Sequence, residues 1–303
     1  MYVHSNYFSG LEAVTECPIC DNVEFKSYLT CRDYLVSNEK FIIQECISCG
    51  FRLTNPRPDD KSIGNYYKSE NYVSHNDESG GFINVIYRTV RSYTLSSKTR
   101  LIKKINGGEG KLLDVGCGTG SFLEACKSSG WQIAGVETDS TVKALAQEKL
   151  KIQVHQDLSE IPNKESFNVI TLWHVLEHIP NLNDAVRRLS MMLAPNGTLI
   201  IAVPNSNSYD ANYFKEYWAA YDVPRHLYHF TPSTIEKLIN KYKLQVIETK
   251  PMVFDAFYIA MLSTRYQTGK TNYIESLKVG LRSNAKARKT GDSSSLIYIV
   301  KKL

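Results

Sequence analysis

The sequence predicts an α/β fold, a doubly wound and mostly parallel sheet, with a small metal-stapled module ahead of it. Three observations lead there. Lys111-Leu112-Leu113-Asp114-Val115-Gly116-Cys117-Gly118-Thr119-Gly120 reads as a buried strand entering a glycine turn, with a helix behind it. Over residues 111–204, apolar strand-like runs alternate with helical periodicity, the pattern of parallel strands joined by right-handed crossovers. Cys17-Pro18-Ile19-Cys20 is matched by Cys46-Ile47-Ser48-Cys49, two thiol pairs at metal-ligand spacing.

The bulk properties agree. A chain of 303 residues with 43% hydrophobic content can bury one large core and a smaller one. A charged fraction of 22% argues against wholesale disorder. The formal net charge of +5 permits an anionic substrate without demanding nucleic acid. No apolar run reaches the roughly 18 residues needed to span a bilayer, and the N-terminus lacks the charged start and apolar core of a signal peptide. A cytoplasmic location is the expectation. The odd count of seven cysteines disfavours a closed disulfide framework.

Each C-x2-C pair can sit on a tight knuckle and present two thiolates to one ion. Four thiolates in a tetrahedron is the structural zinc preference, so Cys17, Cys20, Cys46 and Cys49 are the expected ligands. Residues 25–29 and 41–44 read as short strands between the knuckles, giving a zinc ribbon over 1–58; the alternative is a ribbon that no longer binds metal. Cys31 could replace a ligand but has no knuckle partner. So small a module needs such a staple to fold. Residues 59–105 form a linker and helical lid. Its tyrosines read first as packing, with Tyr72 or His75 over the substrate as the sharper alternative. Residues 76–81 read as a mobile loop, and 82–105 has helical spacing.

The glycine turn carries the chemistry. Gly116, Gly118 and Gly120 let backbone approach a ligand closely, with Phe122, Leu123 and Cys126 on the buried face of the helix behind. A turn between strand and helix is where doubly wound sheets bind nucleotide-like ligands. A second strand over 133–137 ends in Glu137, placed to accept from both hydroxyls of a ribose. A nicotinamide dinucleotide site would use G-x-G-x-x-G, and here the third glycine comes one residue early. The pattern of Asp114, the glycine turn (Gly116, Cys117, Gly118, Gly120) and Glu137 instead resembles the S-adenosylmethionine (SAM) site of class I methyltransferases. That resemblance implies a Rossmann-like sheet of seven strands, the last one antiparallel, and a helix before the first strand closing over the cofactor. It also implies that an acid after the third strand accepts from the adenine amino group while the next residue meets the ring. Asp157 and Leu158 occupy those positions, with a helix cap as the other reading of Asp157.

Further along, a helix is expected over 142–150 and a third strand over 152–155. The apolar run 167–172 is the central fourth strand. It ends in Trp173-His174-Val175-Leu176-Glu177-His178, similar to the family's "LEH" segment beside the methionine part of SAM. Trp173 is expected over adenine or sulfonium, and His174 as a candidate base. Glu177 and His178 read as residues that merely fix the loop. A helix over 182–194 puts Arg187 and Arg188 outward and ends at Pro195-Asn196-Gly197. The fifth strand follows over 198–203.

Residues 205–231 are too aromatic for an idle linker. Asp222 and His226 form a sensible proton-accepting pair, with His229 as another candidate. Nearly the whole chain resembles bacterial methyltransferases carrying an N-terminal zinc ribbon and a "DxPRHLYHFTP" stretch. Thr231-Pro232 starts a helix. Strands are expected over 244–249 and 295–301, separated by an unusually long insertion, 251–294. Its basic residues (Arg265, Lys270, Lys278, Arg282, Lys286, Arg288, Lys289) read as a solvated face or as a grip on phosphate. The resemblance therefore implies a SAM-dependent methyltransferase of 106–303, with acceptor insertions at 205–231 and 251–294. The acceptor class is a small molecule, plausibly a sugar or a glycan or lipid precursor, with phosphorylated or nucleotide-linked forms included. The alternatives are an RNA methyltransferase, which the mixed charge of the ribbon disfavours, and a non-catalytic SAM-binding protein. A monomer and a homodimer both stay open.

Overall fold

The computed structural model of the chain describes residues 10–67, 82–162 and 164–303, and gives no side-chain detail over 82–92. Tyr72, His75 and the loop expected over 76–81 lie outside the described residues.

The N-terminal part contains β1 (Leu11–Glu12), β2 (Phe25–Arg32), β3 (Lys40–Cys46), β4 (Arg52–Thr54) and β5 (Arg57–Pro58). β2, β3 and β4 form an antiparallel meander, and β1 pairs with β5. The strands outrun the short segments expected, because the period-two burial of Phe41, Ile43 and Cys46 carries β3 up to its knuckle. Cys31 belongs to a separate apolar cluster with Phe41, Ile43 and Tyr66, away from the four knuckle cysteines.

After α1 (Phe82–Asn106) the chain alternates: β6 (Lys111–Val115), α2 (Ser121–Ser128), β7 (Gln132–Val136), α3 (Ser140–Leu150), β8 (Val154–His155), β9 (Phe167–Trp173), α4 (Leu182–Met192) and β10 (Leu193–Pro204). α5 (Tyr209–Phe214), β11 (Tyr228–His229), α6 (Pro232–Asn240), β12 (Leu244–Pro251), α7 (Asp255–Thr268), α8 (Tyr273–Thr290) and β13 (Ser295–Lys302) complete it. The seven-stranded sheet runs β12-β13-β10-β9-β6-β7-β8, with β13 antiparallel to both neighbours and the β10-to-β8 pairs parallel. Alternation sorts the side chains onto two faces: Leu113, Val115, Ile170, Leu172, Leu199 and Ile201 into one core, and Leu112, Val169 and Ile200 into the other. Because β7 and β9 flank β6 on opposite sides, the sheet's switch point lies at the glycine turn.

Two local expectations need correcting. The helix before the fifth strand stops at Met192, and residues 193–204 run as one strand with a register break between Leu193 and Thr198. Arg188 does not face outward. Its guanidinium donates to the carbonyls of Leu158 (2.7 Å), Ser159 (3.1 Å) and Ile161 (2.9 Å), closing the loop beyond β8.

The 205–231 segment ties the ribbon to the sheet. β11 pairs with β4 as the edge strand of the N-terminal sheet. Arg225, 1% exposed, donates to Asp33 (3.0 Å), to Asp222 (2.6 Å) and to the Tyr66 carbonyl (2.9 Å). Removing one member of a buried ion cluster strands the others. Arg225→Ala is therefore expected to cost about 3–5 kcal/mol of stability. Urea unfolding checks this; a loss below about 1 kcal/mol would mean the cluster is not a clamp.

Candidate active site

The site is built at the carboxyl ends of β6, β7 and β9. Gly116, Gly118 and Gly120 take φ of +69°, +55° and +77°, a region other residues adopt only with strain. A Cβ on Gly116 would meet Val175 Cγ2 at 2.4 Å, so the turn has to be bare there. At Gly118 a Cβ would meet nothing within 4 Å, so its side of the turn faces open space. Glu137 braces the turn: one carboxylate oxygen accepts from Gly118 N–H (2.8 Å), the other from Asp139 N–H (3.0 Å). Cys117 points inward, its sulfur above Gly135, where an added Cβ would come within 3.0 Å of it.

Asp114 is buried beneath the turn and faces Thr171 on β9, whose hydroxyl donates to it at 2.6 Å. Burial pushes its carboxyl up to about 7, the nearby Glu137 charge adds to this, and Thr171 and Lys98 oppose it. Lys98 reaches down from α1 until its ammonium lies 4.1 Å from the centre of the Trp173 ring. Burial weakens that ammonium's hold on its proton, and Asp114 and Asp255 counter the effect. Trp173 also meets Phe122 edge-on at 5.8 Å. Asp157 accepts from Ser159 N–H at 2.7 Å and caps the turn that follows. Leu158 is buried, and its carbonyl is one of the three Arg188 holds.

Beyond β9 the chain turns through His174, at φ +57°, an outlier for a residue with a Cβ. That turn aims the imidazole between two carboxylates: Nε2 lies 3.2 Å from Asp255 and Nδ1 3.5 Å from Glu177. Burial disfavours its charge, but the two acids outweigh it and raise the imidazole to about 9. Glu177 is 0% exposed, and neither carboxylate oxygen has a hydrogen-bond partner among the described residues; at 3.5 Å the His174 contact is an ion pair only. Burial opposes its ionisation, but His174, His226 and His178 keep its carboxyl below the usual range.

His226 stands opposite, its Nδ1 2.8 Å from the Ala220 carbonyl and its Nε2 4.0 Å from both Glu177 and Asp222. Asp222 makes its close contacts with Arg225 instead. His178 packs edge-on against His226 with ring centres 4.6 Å apart, and its Nδ1 lies 3.0 Å from the Tyr67 hydroxyl and 3.0 Å from the Arg225 carbonyl. Burial, with the His226 charge behind it, takes its pKa down to about 4. His229 is held elsewhere: its Nε2 lies 3.0 Å from the Thr54 hydroxyl in the strand junction. Thus His174, His226 and Asp222 are brought together and His229 is not; Glu177 and His178, read from the sequence as merely fixing the loop, join them, and Tyr67, Lys98 and Asp255 join unannounced. The family segment around 174–178 was the signal for Glu177 and His178; nothing local marks the last three.

At the other end, Cys17, Cys20, Cys46 and Cys49 gather with all four sulfurs within 4.8 Å of one another. The cross-knuckle pairs Cys17–Cys49 and Cys20–Cys46 are each 3.5 Å apart. Sulfurs 2.3 Å from one tetrahedral ion would stand about 3.8 Å apart, so the set fits a metal ion with little adjustment.

A family model described as a methyltransferase domain matches residues 87–249. Ubiquinone biosynthesis O-methyltransferase of Rhodopseudomonas palustris (strain TIE-1) is 26% identical over 163 residues, 48% of this chain and 62% of that protein. The corresponding protein of Pseudomonas fluorescens (strain Pf0-1) is 29% identical over 113 residues, 35% of this chain and 49% of its own length. The chain thus spans about three fifths or less of the length of these curated relatives. Among solved structures, magnesium protoporphyrin IX methyltransferase from Synechocystis PCC 6803 with bound SAH superposes with a TM-score of 0.54 at 14% identity, over 81% of this chain and 100% of that one. That likeness is one of fold. With the family model covering more than half its length, the chain belongs to the methyltransferase domain family.

Proposed function

We propose that this protein is a SAM-dependent methyltransferase acting on a small-molecule acceptor, a sugar or a glycan or lipid precursor. The observation that carries the cofactor assignment is Lys98. Its ammonium lies against Trp173 and answers the charge of Asp114, beside a bare turn braced by Glu137. A cation already fills the place where the sulfonium and ammonium of SAM would be welcome, and the open side of Gly118 has room for the rest. In this reading Glu137 exchanges part of its hold on Gly118 for the ribose hydroxyls, and Asp157 and Leu158 meet the adenine. SAM when bound supplies the electrophilic methyl; the chain supplies alignment and a place for the acceptor's proton.

That place is the buried cluster around Glu177. His174 is held as an imidazolium at neutral pH, so it orients Glu177 and Asp255 rather than taking a proton. The uncommitted lone pairs belong to Glu177, His178 and His226. The O-methyltransferase relatives favour a hydroxyl acceptor, and the 205–231 and 251–294 segments, which supply His226 and Asp255, are the parts that would select it. The four N-terminal cysteines are assigned a structural zinc ion, on the closeness of their sulfurs and the match of that spacing to a tetrahedral site.

Titration calorimetry with SAM and transfer of a labelled methyl group to candidate acceptors test the reading. Gly118→Val is expected to abolish SAM binding, and Glu137→Ala to weaken it by about 1–3 kcal/mol through unpaired ribose hydroxyls. His226→Ala should lower turnover and leave SAM affinity unchanged; unaltered turnover removes it from the mechanism. Chelating the zinc should lower the melting temperature and restore it on re-addition. His174 gives a pH test. Its folded pKa of about 9 lies above its unfolded value of about 6.5. Its contribution to stability is thus complete below about pH 6.5 and lost as pH rises through about 9. Asp255→Asn should lower the NMR-titrated pKa and flatten stability over that window; a wild-type value near 6.5 would contradict the ion pair.

A further inference from the structure

We infer that Glu177, His178 and His226 form a divalent-cation site, two imidazoles and one carboxylate, beside the cofactor crevice. One ligand atom from each residue lies within 4.8 Å of the other two. The tautomers are set by the carbonyls. Nδ1 of His226 faces the Ala220 carbonyl at 2.8 Å, and Nδ1 of His178 faces the Arg225 carbonyl at 3.0 Å. A carbonyl only accepts, so each Nδ1 carries the proton and each Nε2 is left as a lone pair. An outward N–H bonded to a carbonyl is also how metal-binding imidazoles are oriented.

Glu177 supplies the second, independent sign. Its carboxylate is 0% exposed and lacks a hydrogen-bond partner on either oxygen among the described residues. Glu177 thus faces the Nε2 of His226 with no hydrogen-bond donor between them among the described residues, an arrangement that is costly unless positive charge fills it, and the His174 imidazole supplies only part of that charge from 3.5 Å. The 4.0 Å between His226 Nε2 and Glu177 is too long for a hydrogen bond. Two ligands each about 2.1 Å from a tetrahedral ion stand about 3.4 Å apart, so the pair would close by roughly half an ångström on binding. The surrounding charge agrees: four acids share two cations, Glu177 and Asp255 on His174, Asp222 and Asp33 on Arg225. Nitrogen-rich donors of this kind suit zinc, cobalt, iron or manganese better than magnesium or calcium. The role of the ion rests on the methyltransferase reading: it would hold an acceptor hydroxyl oxygen beside the methyl donor and favour its ionised form.

Cobalt(II) distinguishes this site from the ribbon, because thiolate ligands give an intense charge-transfer absorption that nitrogen and oxygen ligands lack. The full chain carrying one equivalent of zinc, which the four thiolates take first, is titrated with cobalt. The expected result is a saturable class of weak ligand-field bands without thiolate charge transfer. Glu177→Gln and His226→Gln should each weaken that class by about 100-fold or more. Their zinc content, unchanged from wild type, and a retained cooperative melting transition show that they remain folded. Cobalt that binds only with thiolate charge transfer, or a second class untouched by both variants, overturns the site. Calorimetry with SAM on the same samples keeps the two readings apart. SAM binding without the second class overturns the cation site alone. The second class without SAM binding overturns the methyltransferase reading and leaves the cation site standing.

Discussion

Carboxylates packed at the carboxyl ends of the central strands set the terms for everything around them. Asp114 lies under the glycine turn, Glu137 beside it, and Glu177 and Asp255 beyond the tip of β9. Taking such groups out of water is expensive unless positive charge or donors are brought to them. The chain answers in three ways. Thr171 and the Gly118 N–H satisfy part of Asp114 and Glu137 by direct donation. Lys98 is drawn down from α1 against Trp173. The strained turn at His174 delivers an imidazolium between Glu177 and Asp255. Glu177 keeps that ion pair but has no hydrogen-bond donor among the described residues. The two ligands proposed for the crevice, a sulfonium donor and a divalent metal ion, both answer that one electrostatic demand.

The N-terminal module is joined to this demand rather than appended to it. Arg225 holds Asp33 of the ribbon and Asp222 of the acceptor segment together, and its own carbonyl sets the His178 tautomer. Tyr67 reaches His178 from the linker, and β11 completes the ribbon's sheet one residue after Leu227. The segment that places His226 in the crevice is therefore anchored to a body stapled by four cysteines. Loosening the knuckles would transmit through β4 and β11 toward the crevice, which gives the small module a reason to be joined to it.

What could be read from the residues followed range of interaction. The strands and the glycine turn were legible because buried parallel strands are apolar runs and a turn of this curvature admits little but glycine. The cysteine knuckles were legible because each ligand pair is local. The carboxylate tips, Asp114 and Glu137, came from adjacency to those elements. The Glu177 site was not legible, since its meaning depends on His226, 49 positions later, and on the absence of any donor between them. Arg225 likewise looks like a surface arginine until Asp33 is brought to it. Arg188 fits an exposed helix position by periodicity, yet three carbonyls from the loop beyond β8 capture it.

A crevice proposed for a cationic donor should hold Lys98 in place only until that donor arrives. A crystal soaked with SAM shows whether it does. The expected structure has the ribose at Glu137, the positive end of the ligand beside Asp114 and Trp173, and the Lys98 ammonium withdrawn from the ring. Electron density for the ligand elsewhere, or Lys98 unmoved over Trp173 in a crystal that has taken SAM up, would contradict it.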